Sequence, residues 1–272
     1  MAMWRYPEGR LLVFAKAPVT GKVKTRLRRR WGAAGARRIY MDLCRRTLNT
    51  ARASAAAPVE LWCSPGIGHP WLRARAREAG AALRVQPPGD LGRRMHRALA
   101  ASLRDAPYAV IIGADCAGLT PEHIHAAFER LADGQQAVFC PAPDGGYVLV
   151  GTRYPEPGVF RTVPWGTDAV MQATRQRLRR LGLHYAELDP ALDVDRPADV
   201  HRLRRGGLLP AWPGAALARA RGVVSPAGSQ YPGPSARPSA GQTRAVGSCT
   251  SATPITKDAG CSWSVTRDSS AD

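Results

Sequence analysis

Leu11-Leu12-Val13-Phe14-Ala15-Lys16-Ala17-Pro18-Val19-Thr20-Gly21-Lys22-Val23-Lys24-Thr25-Arg26-Leu27 reads as a strand, a loop and the opening of a helix. The apolar run Leu11–Ala15 has the pattern of a strand buried on both faces. Pro18 and Gly21 break it, and the loop then carries Lys16, Lys22, Lys24 and Arg26 toward a helical pattern. A cationic loop with free backbone N–H groups, set between a strand and a helix N-terminus, suits a polyphosphate. A Walker A loop is the nearest alternative, and it fails on two counts. Val23 follows Gly21-Lys22 where a Ser or Thr would hold Mg²⁺, and Lys16 stands five residues before Gly21 where a glycine is required. A surface turn with solvated lysines is the plainest alternative.

Patterns of the two kinds alternate beyond this stretch. Strands are expected at Val59–Cys63, Leu83–Gln86, Tyr108–Gly113, Ala137–Cys140, Tyr147–Val150 and Leu183–Leu188. Helices are expected around Ile39, Leu43 and Thr47, and at His69–Ala79, Asp90–Leu103, Thr120–Leu131, Asp168–Leu181 and Pro197–Arg205. Asp90 and Thr120 are N-cap candidates, and Pro121 fits a first helical position. Tyr108–Gly113 is apolar almost throughout, so it should be a central strand. The alternation argues for one α/β domain with a mainly parallel sheet. We place that domain at residues 1–222. Residues 223–272 hold 10 Ser, 5 Gly and 5 Pro with almost no apolar periodicity, and are expected to be a disordered tail.

The chain carries 39 Lys/Arg against 21 Asp/Glu over 272 residues, a net charge of +18. Much of the excess is Arg interleaved with Ala on helical patterns, as at Arg73, Arg75 and Arg77, which marks solvated helix faces. Zinc-finger spacing and aromatic ribonucleoprotein motifs are absent from the sequence, which argues against nucleic acid as the partner. The charge fits attraction of a small polyanion equally well. None of the six cysteines forms C-x-x-C; Cys44, Cys63, Cys116 and Cys140 fall in predicted elements and are expected to be buried free thiols. Met1–Arg10 lacks the apolar core of a signal peptide, and no apolar window reaches the length of a membrane span. A cytoplasmic location is therefore expected.

Parallel α/β sheets bind ligands beyond the carboxyl ends of their strands, and three segments fall there. The first is the basic loop. The second is Val110-Ile111-Ile112-Gly113-Ala114-Asp115-Cys116-Ala117-Gly118-Leu119, which sets Asp115 directly after the central strand. A carboxylate beside a phosphate loop is a usual Mg²⁺ ligand; it is equally a turn or N-cap residue. The third is Pro141-Ala142-Pro143-Asp144-Gly145-Gly146-Tyr147, where two glycines either admit a ligand or make a tight hairpin. Further on, Asp193-Val194-Asp195 could supply a second carboxylate to a metal, or Asp195 could cap the helix starting near Pro197.

Together these motifs resemble a bacterial GT-A-type glycosyltransferase family, the arsenosugar-biosynthesis-type or radical-SAM/selenodomain-associated transferases. The resemblance rests on Phe14-Ala15-Lys16-Ala17-Pro18…Gly21…Lys24-Thr25-Arg26-Leu27, Gly89-Asp90-Leu91-Gly92-Arg93-Arg94-Met95, Gly113-Ala114-Asp115-Cys116, Asp144-Gly145-Gly146-Tyr147 and Val163-Pro164-Trp165-Gly166-Thr167. The Asp193-Val194-Asp195 segment is similar to the last motif of the wider nucleotidyltransferase superfamily. The resemblance covers about residues 10–205. It departs at Ala117, where the family has Pro, at Gly118, where an acidic residue is common, and at Gly166, where Ser is usual.

The resemblance implies a GT-A-like three-layer sandwich that holds an NTP or a nucleotide-diphospho-sugar with Mg²⁺ or Mn²⁺, acting on a small-molecule acceptor. It implies that Ala15, Lys16, Gly21, Lys24, Thr25 and Arg26 line the phosphates, with Lys24, Arg26 and Asp115 catalytic. Asp115 would be the metal aspartate and Asp195 a second ligand. Asp90, Asp144, Gly145, Gly146, Tyr147 and Trp165 would complete the nucleotide, sugar or acceptor side. Glycosyl transfer is the first expectation and guanylyltransferase-like nucleotidyl transfer the alternative.

Overall fold

The computed structural model describes residues 4–207. Seven strands form one sheet: β1 (Arg10–Lys16), β2 (Val59–Ser64), β3 (Ala82–Val85), β4 (Ala109–Gly113), β5 (Ala137–Pro141), β6 (Tyr147–Thr152) and β7 (Tyr185–Glu187), in the order β3-β2-β1-β4-β6-β5-β7. The expected central strand, β4, lies fourth of the seven and is buried along its whole length. Strands β3, β2, β1 and β4 are mutually parallel, with Leu11 opposite Val59 on one side and Val110 on the other. Only β6 runs against its neighbours; β5 and β7 again point the way of β4. The carboxyl ends of β1, β4, β5 and β7 and the start of β6 therefore share one edge of the sheet.

Among the described residues six helices accompany the sheet: α1 (Arg28–Ser54), α2 (Pro70–Ala79), α3 (Leu91–Ser102), α4 (Pro121–Ala132), α5 (Val170–Arg180) and α6 (Pro197–Arg205). Alternate residues of β1 face opposite sides of the sheet, as period-2 geometry demands. Leu11, Val13 and Ala15 pack with Leu48 of α1, Leu72 of α2 and Phe128 of α4. Leu12 and Phe14 pack with Met95 of α3 and Met171 of α5. Helices on both faces of a mostly parallel sheet make the expected three-layer α/β sandwich. A smaller cluster joins α1 and α6 through Leu27, Ile39, Leu43, Val194, Val200 and Leu203.

Local signals behave as elementary capping predicts. Asp90 accepts a hydrogen bond from the Arg93 N–H at 2.8 Å and caps α3. Thr120 caps α4 with Pro121 at its first position. Three expectations are corrected. The helix after the basic loop does not open directly: Thr25–Leu27 form a 3-10 turn, and α1 is kinked at Gly32 (φ 67°), so the loop meets an irregular helix start. Helix α5 begins at Val170 rather than Asp168. Asp195 does not cap α6. Arg196 holds the cap position, and Asp199 accepts from the Asp195 and Arg196 N–H groups at 3.2 and 2.8 Å, which frees the Asp195 carboxylate. The proposed boundary at residue 222 and the 223–272 tail lie outside the described residues, as do Cys249 and Cys261.

The β5–β6 turn is built tightly. Gly145 has φ +89°, and a Cβ there would run into the backbone of Asp168, while the Gly145 carbonyl accepts from the Met171 N–H at 2.8 Å. The turn that carries Asp144 is thus seated on the start of α5. Gly145→Ala adds backbone strain and a backbone collision; urea unfolding should show a loss of roughly 2–3 kcal/mol.

Candidate active site

The site lies at the carboxyl edge of the sheet, where the loops after β1, β4, β5 and β7 converge. Two backbone zippers bring the last of these into place. The Leu188 N–H donates to the Phe139 carbonyl at 2.8 Å and the Ala191 N–H to the Pro141 carbonyl at 3.0 Å, so the chain beyond β7 follows β5 outward. The Gly118 N–H donates to the Leu192 carbonyl at 2.9 Å, and a Cβ on Gly118 would collide with the Leu192 backbone. The glycine that departs from the family pattern is what lets the Asp115 loop and the Asp193–Asp195 segment touch.

At the centre stands Lys24. It has left-handed backbone angles (φ 43°, ψ 50°) and is only 2% exposed. Its ammonium donates to Asp115 Oδ2 at 2.7 Å and Asp195 Oδ1 at 2.8 Å. Arg26 Nη1 reaches Asp195 Oδ2 at 3.5 Å from a half-exposed position. Burial presses the Lys24 ammonium toward neutrality. Asp115, Asp195 and Asp193 outweigh that pressure and hold its pKa well above the usual lysine value. Burial raises the Asp115 pKa above the ordinary carboxylate value against the opposing pull of Lys24.

Asp193 lies in the segment that the sequence singled out, where the ligand role was given to Asp195 alone. It is buried; its Oδ1 accepts from the Val194 N–H at 2.7 Å, and its Oδ2 has no hydrogen-bond partner. Burial raises its pKa well above the usual range. One oxygen each from Asp144, Asp193 and Asp195 lie within 4.8 Å of one another, and Asp193 makes a similar group with Asp115 and the Cys116 sulfur. The Cys116 thiol, pushed up by burial, donates to the Val148 carbonyl at 3.7 Å. The role of Asp193 becomes readable once the burial of Val194 is known. In an extended segment residues i and i+2 share a face. Val194 is fully buried in the α1–α6 cluster, so both flanking aspartates turn the other way.

The other predicted residues hold different stations. Ala15 is buried near the end of β1. The Lys16 N–H and carbonyl both bond the Tyr40 hydroxyl, at 2.7 and 2.9 Å, and Arg37 Nε donates to the Pro18 carbonyl at 2.6 Å. Helix α1 thereby ties down the basic loop. Gly21 has φ +84°, and Thr25 opens the 3-10 turn. Gly146 donates its N–H to Asp144 Oδ1 at 3.1 Å. Tyr147 meets Trp165 edge-on at 6.2 Å, and Trp165 also lies against Gly92, linking the α3 start to the turn after β5. Asp90 is an exposed helix cap rather than part of the carboxylate cluster. The four cysteines among the described residues are buried and free, as expected.

The geometry places a basic loop beside buried carboxylates at a sheet edge. Residues 47–167 match the profile of a family described as "Uncharacterized protein conserved in bacteria (DUF2064)". The crystal structure of a candidate nucleotide-diphospho-sugar transferase from Desulfovibrio desulfuricans G20 superposes with a TM-score of 0.67 at 29% identity, over 79% of this chain and 95% of that one. The chain has the α/β fold of the nucleotide-diphospho-sugar transferases. A 3-phospho-D-glycerate guanylyltransferase of Phenylobacterium zucineum (strain HLK1) is 32% identical over 140 residues, 50% of this chain and 63% of that protein. The chain thus spans less than two thirds of that relative. The 4-diphosphocytidyl-2C-methyl-D-erythritol synthase of Anaerococcus prevotii DSM 20548 shares the fold alone, with a TM-score of 0.51 at 7% identity over 74% of this chain and 98% of that one.

A carboxylate whose folded pKa is raised makes the folded state bind more protons than the unfolded state over the interval between the two values. Stability then falls as pH rises through the raised value. Asp193→Asn keeps the acceptor for Val194 and removes the ionisable group, so the fall in stability with rising pH that Asp193 contributes should be absent from the variant. Thermal melts of both proteins across a pH series check the sign.

Proposed function

We propose that the protein is a divalent-metal-dependent transferase acting on a nucleotide-activated donor. The observation that carries this reading is the buried carboxylate cluster set against the basic loop at the carboxyl edge of the sheet. The donor set fits a hard cation. Four aspartates face one buried lysine and one half-exposed arginine, which leaves a formal excess of two negative charges, and the buried Asp193 Oδ2 lacks a partner. All-oxygen ligation of this kind suits Mg²⁺ or Mn²⁺. Asp115, Asp193 and Asp195 would hold the ion, which supplies neutralising charge at the diphosphate as it departs.

The chain's own groups do the rest by position and charge. Arg26, the Lys16 side chain and the loop amides around Gly21 and Thr25 would bind the phosphates. Fixed cations aimed where negative charge accumulates favour the transition state over the ground state, with no covalent intermediate on the protein. Tyr147 and Trp165 shape the far wall, where the sugar or acceptor would rest. Asp144, at the exposed mouth, is the group positioned to take a proton from an acceptor hydroxyl.

Glycosyl transfer from a nucleotide-diphospho-sugar to a small-molecule acceptor is our first reading, supported by the likeness over nearly the whole domain to the Desulfovibrio protein. The motifs shared with arsenosugar-type transferases favour a small acceptor. Nucleotidyl transfer is the second reading, favoured by the guanylyltransferase relative; a phosphorylated acceptor would attack the α-phosphate of an NTP and pyrophosphate would leave. We place the enzyme in the cytoplasm, which accords with its free cysteines; among the described residues no helix is long and apolar enough to cross a membrane.

The products separate the two chemistries. Nucleoside diphosphate released from a sugar nucleotide supports the first, and pyrophosphate released from an NTP the second. In either case Asp115→Asn should lower metal-dependent turnover by at least ~10²-fold while circular dichroism stays that of the folded protein. Full activity in that variant would overturn the metal assignment.

A further inference from the structure

Lys24 is in the wrong place to serve as a simple phosphate ligand. Its ammonium lies between Asp115 and Asp195, 98% out of solvent, in the position a cation would take on that carboxylate pair. We propose that Lys24 and a divalent cation are alternative occupants of the Asp115–Asp195 pair: the ammonium neutralises the pair in the free protein and leaves it when the metal and nucleotide enter. This rests on the reading of the cluster as a metal site.

Four observations carry it. First, two of the three carboxylates that would ligate the metal, Asp115 and Asp195, already bond Lys24, so a dication among them would face a cation at contact distance in a buried setting, where like charges repel strongly. Second, the neighbouring Asp193 Oδ2 is buried and unpartnered, so the pocket holds more acceptor capacity than the lysine uses. Third, Lys24 is held in left-handed backbone angles (φ 43°) that a non-glycine residue adopts rarely, and the flexible four-carbon stem gives its ammonium reach beyond the pocket. Fourth, an anion-binding destination is adjacent. Arg26 and the basic loop lie on the same chain segment, and incoming phosphates would replace the carboxylates as partners for the displaced ammonium. A lysine with a permanently structural role would gain nothing from this surplus of acceptors.

Binding of Mn²⁺ alone to the full chain, read by the electron paramagnetic resonance signal of free Mn²⁺, tests the exchange. Lys24→Met should bind one Mn²⁺ at least ~10-fold more tightly than the unaltered protein, and the gain should vanish in Lys24→Met/Asp115→Asn. A folded Lys24→Met that binds Mn²⁺ no more tightly overturns the exchange. The unaltered protein gives a second readout that holds even where the variant fails to fold. Acetic anhydride labelling of Lys24, followed by mass spectrometry, should rise several-fold when Mn²⁺ saturates; unchanged labelling at saturation overturns the exchange. Failure of the underlying reading looks different. Turnover that survives EDTA overturns the metal site itself, whereas EDTA-sensitive turnover without tighter Mn²⁺ binding in Lys24→Met overturns the exchange alone.

Discussion

A lysine ammonium buried between two aspartates is an expensive thing to build. Removing the charges from water costs several kcal/mol per ion, and a well-packed apolar substitute is often as stable or more so. The domain nevertheless arranges four separate loops around this contact. The loop after β1 brings Lys24, the loop after β4 brings Asp115, the turn after β5 brings Asp144, and the segment after β7 brings Asp193 and Asp195. Each loop has its own anchor elsewhere: Tyr40 and Arg37 for the first, the Leu192 carbonyl for the second, the start of α5 for the third, and Val194 for the last. The anchors are ordinary hydrogen bonds and apolar contacts. They stabilise a charged arrangement that could not hold itself together, as expected of a site retained for chemistry rather than for stability.

The sheet explains why these loops meet. One reversed strand, β6, lets β5 and β7 point the way of β1 and β4 across the sheet's full width. Without it the hairpin joining β5 to β6 would lie at the opposite edge. The likeness of fold thus carries a rule about which loops can meet.

Much of this was legible in the sequence, and the failures have physical causes. Apolar runs located β1 and β4, and alternating strand and helix patterns gave the layered class. Proline and cap residues located the starts of α3, α4 and α6 almost to the residue. The loop-to-helix junction was misread because the helical pattern continues through Gly32, and nothing in a periodicity count registers one residue at positive φ. Asp195 was left between capping and metal binding because the competing cap, Asp199, lies within the helix it serves. Asp193 lacked a role because its meaning depends on a neighbour, Val194, whose burial only the tertiary structure reveals. Lys24 was read as a cation facing the phosphates, and its burial between aspartates escaped that reading because it is decided by carboxylates far along the chain.

That separation is itself consequential. Lys24 and Asp195 are 171 positions apart, and the pocket closes only when the segment after β7 has been laid against β5. During synthesis the first half of the chain therefore emerges with the cation and Asp115, while Asp193 and Asp195 are still to be made. Until the final loop docks, Lys24 has only part of its counter-charge, and a stalled or clipped product would present a basic loop without the acidic pocket behind it. Completion of the domain and completion of the carboxylate pocket are one event, so a partly made copy has no assembled pocket.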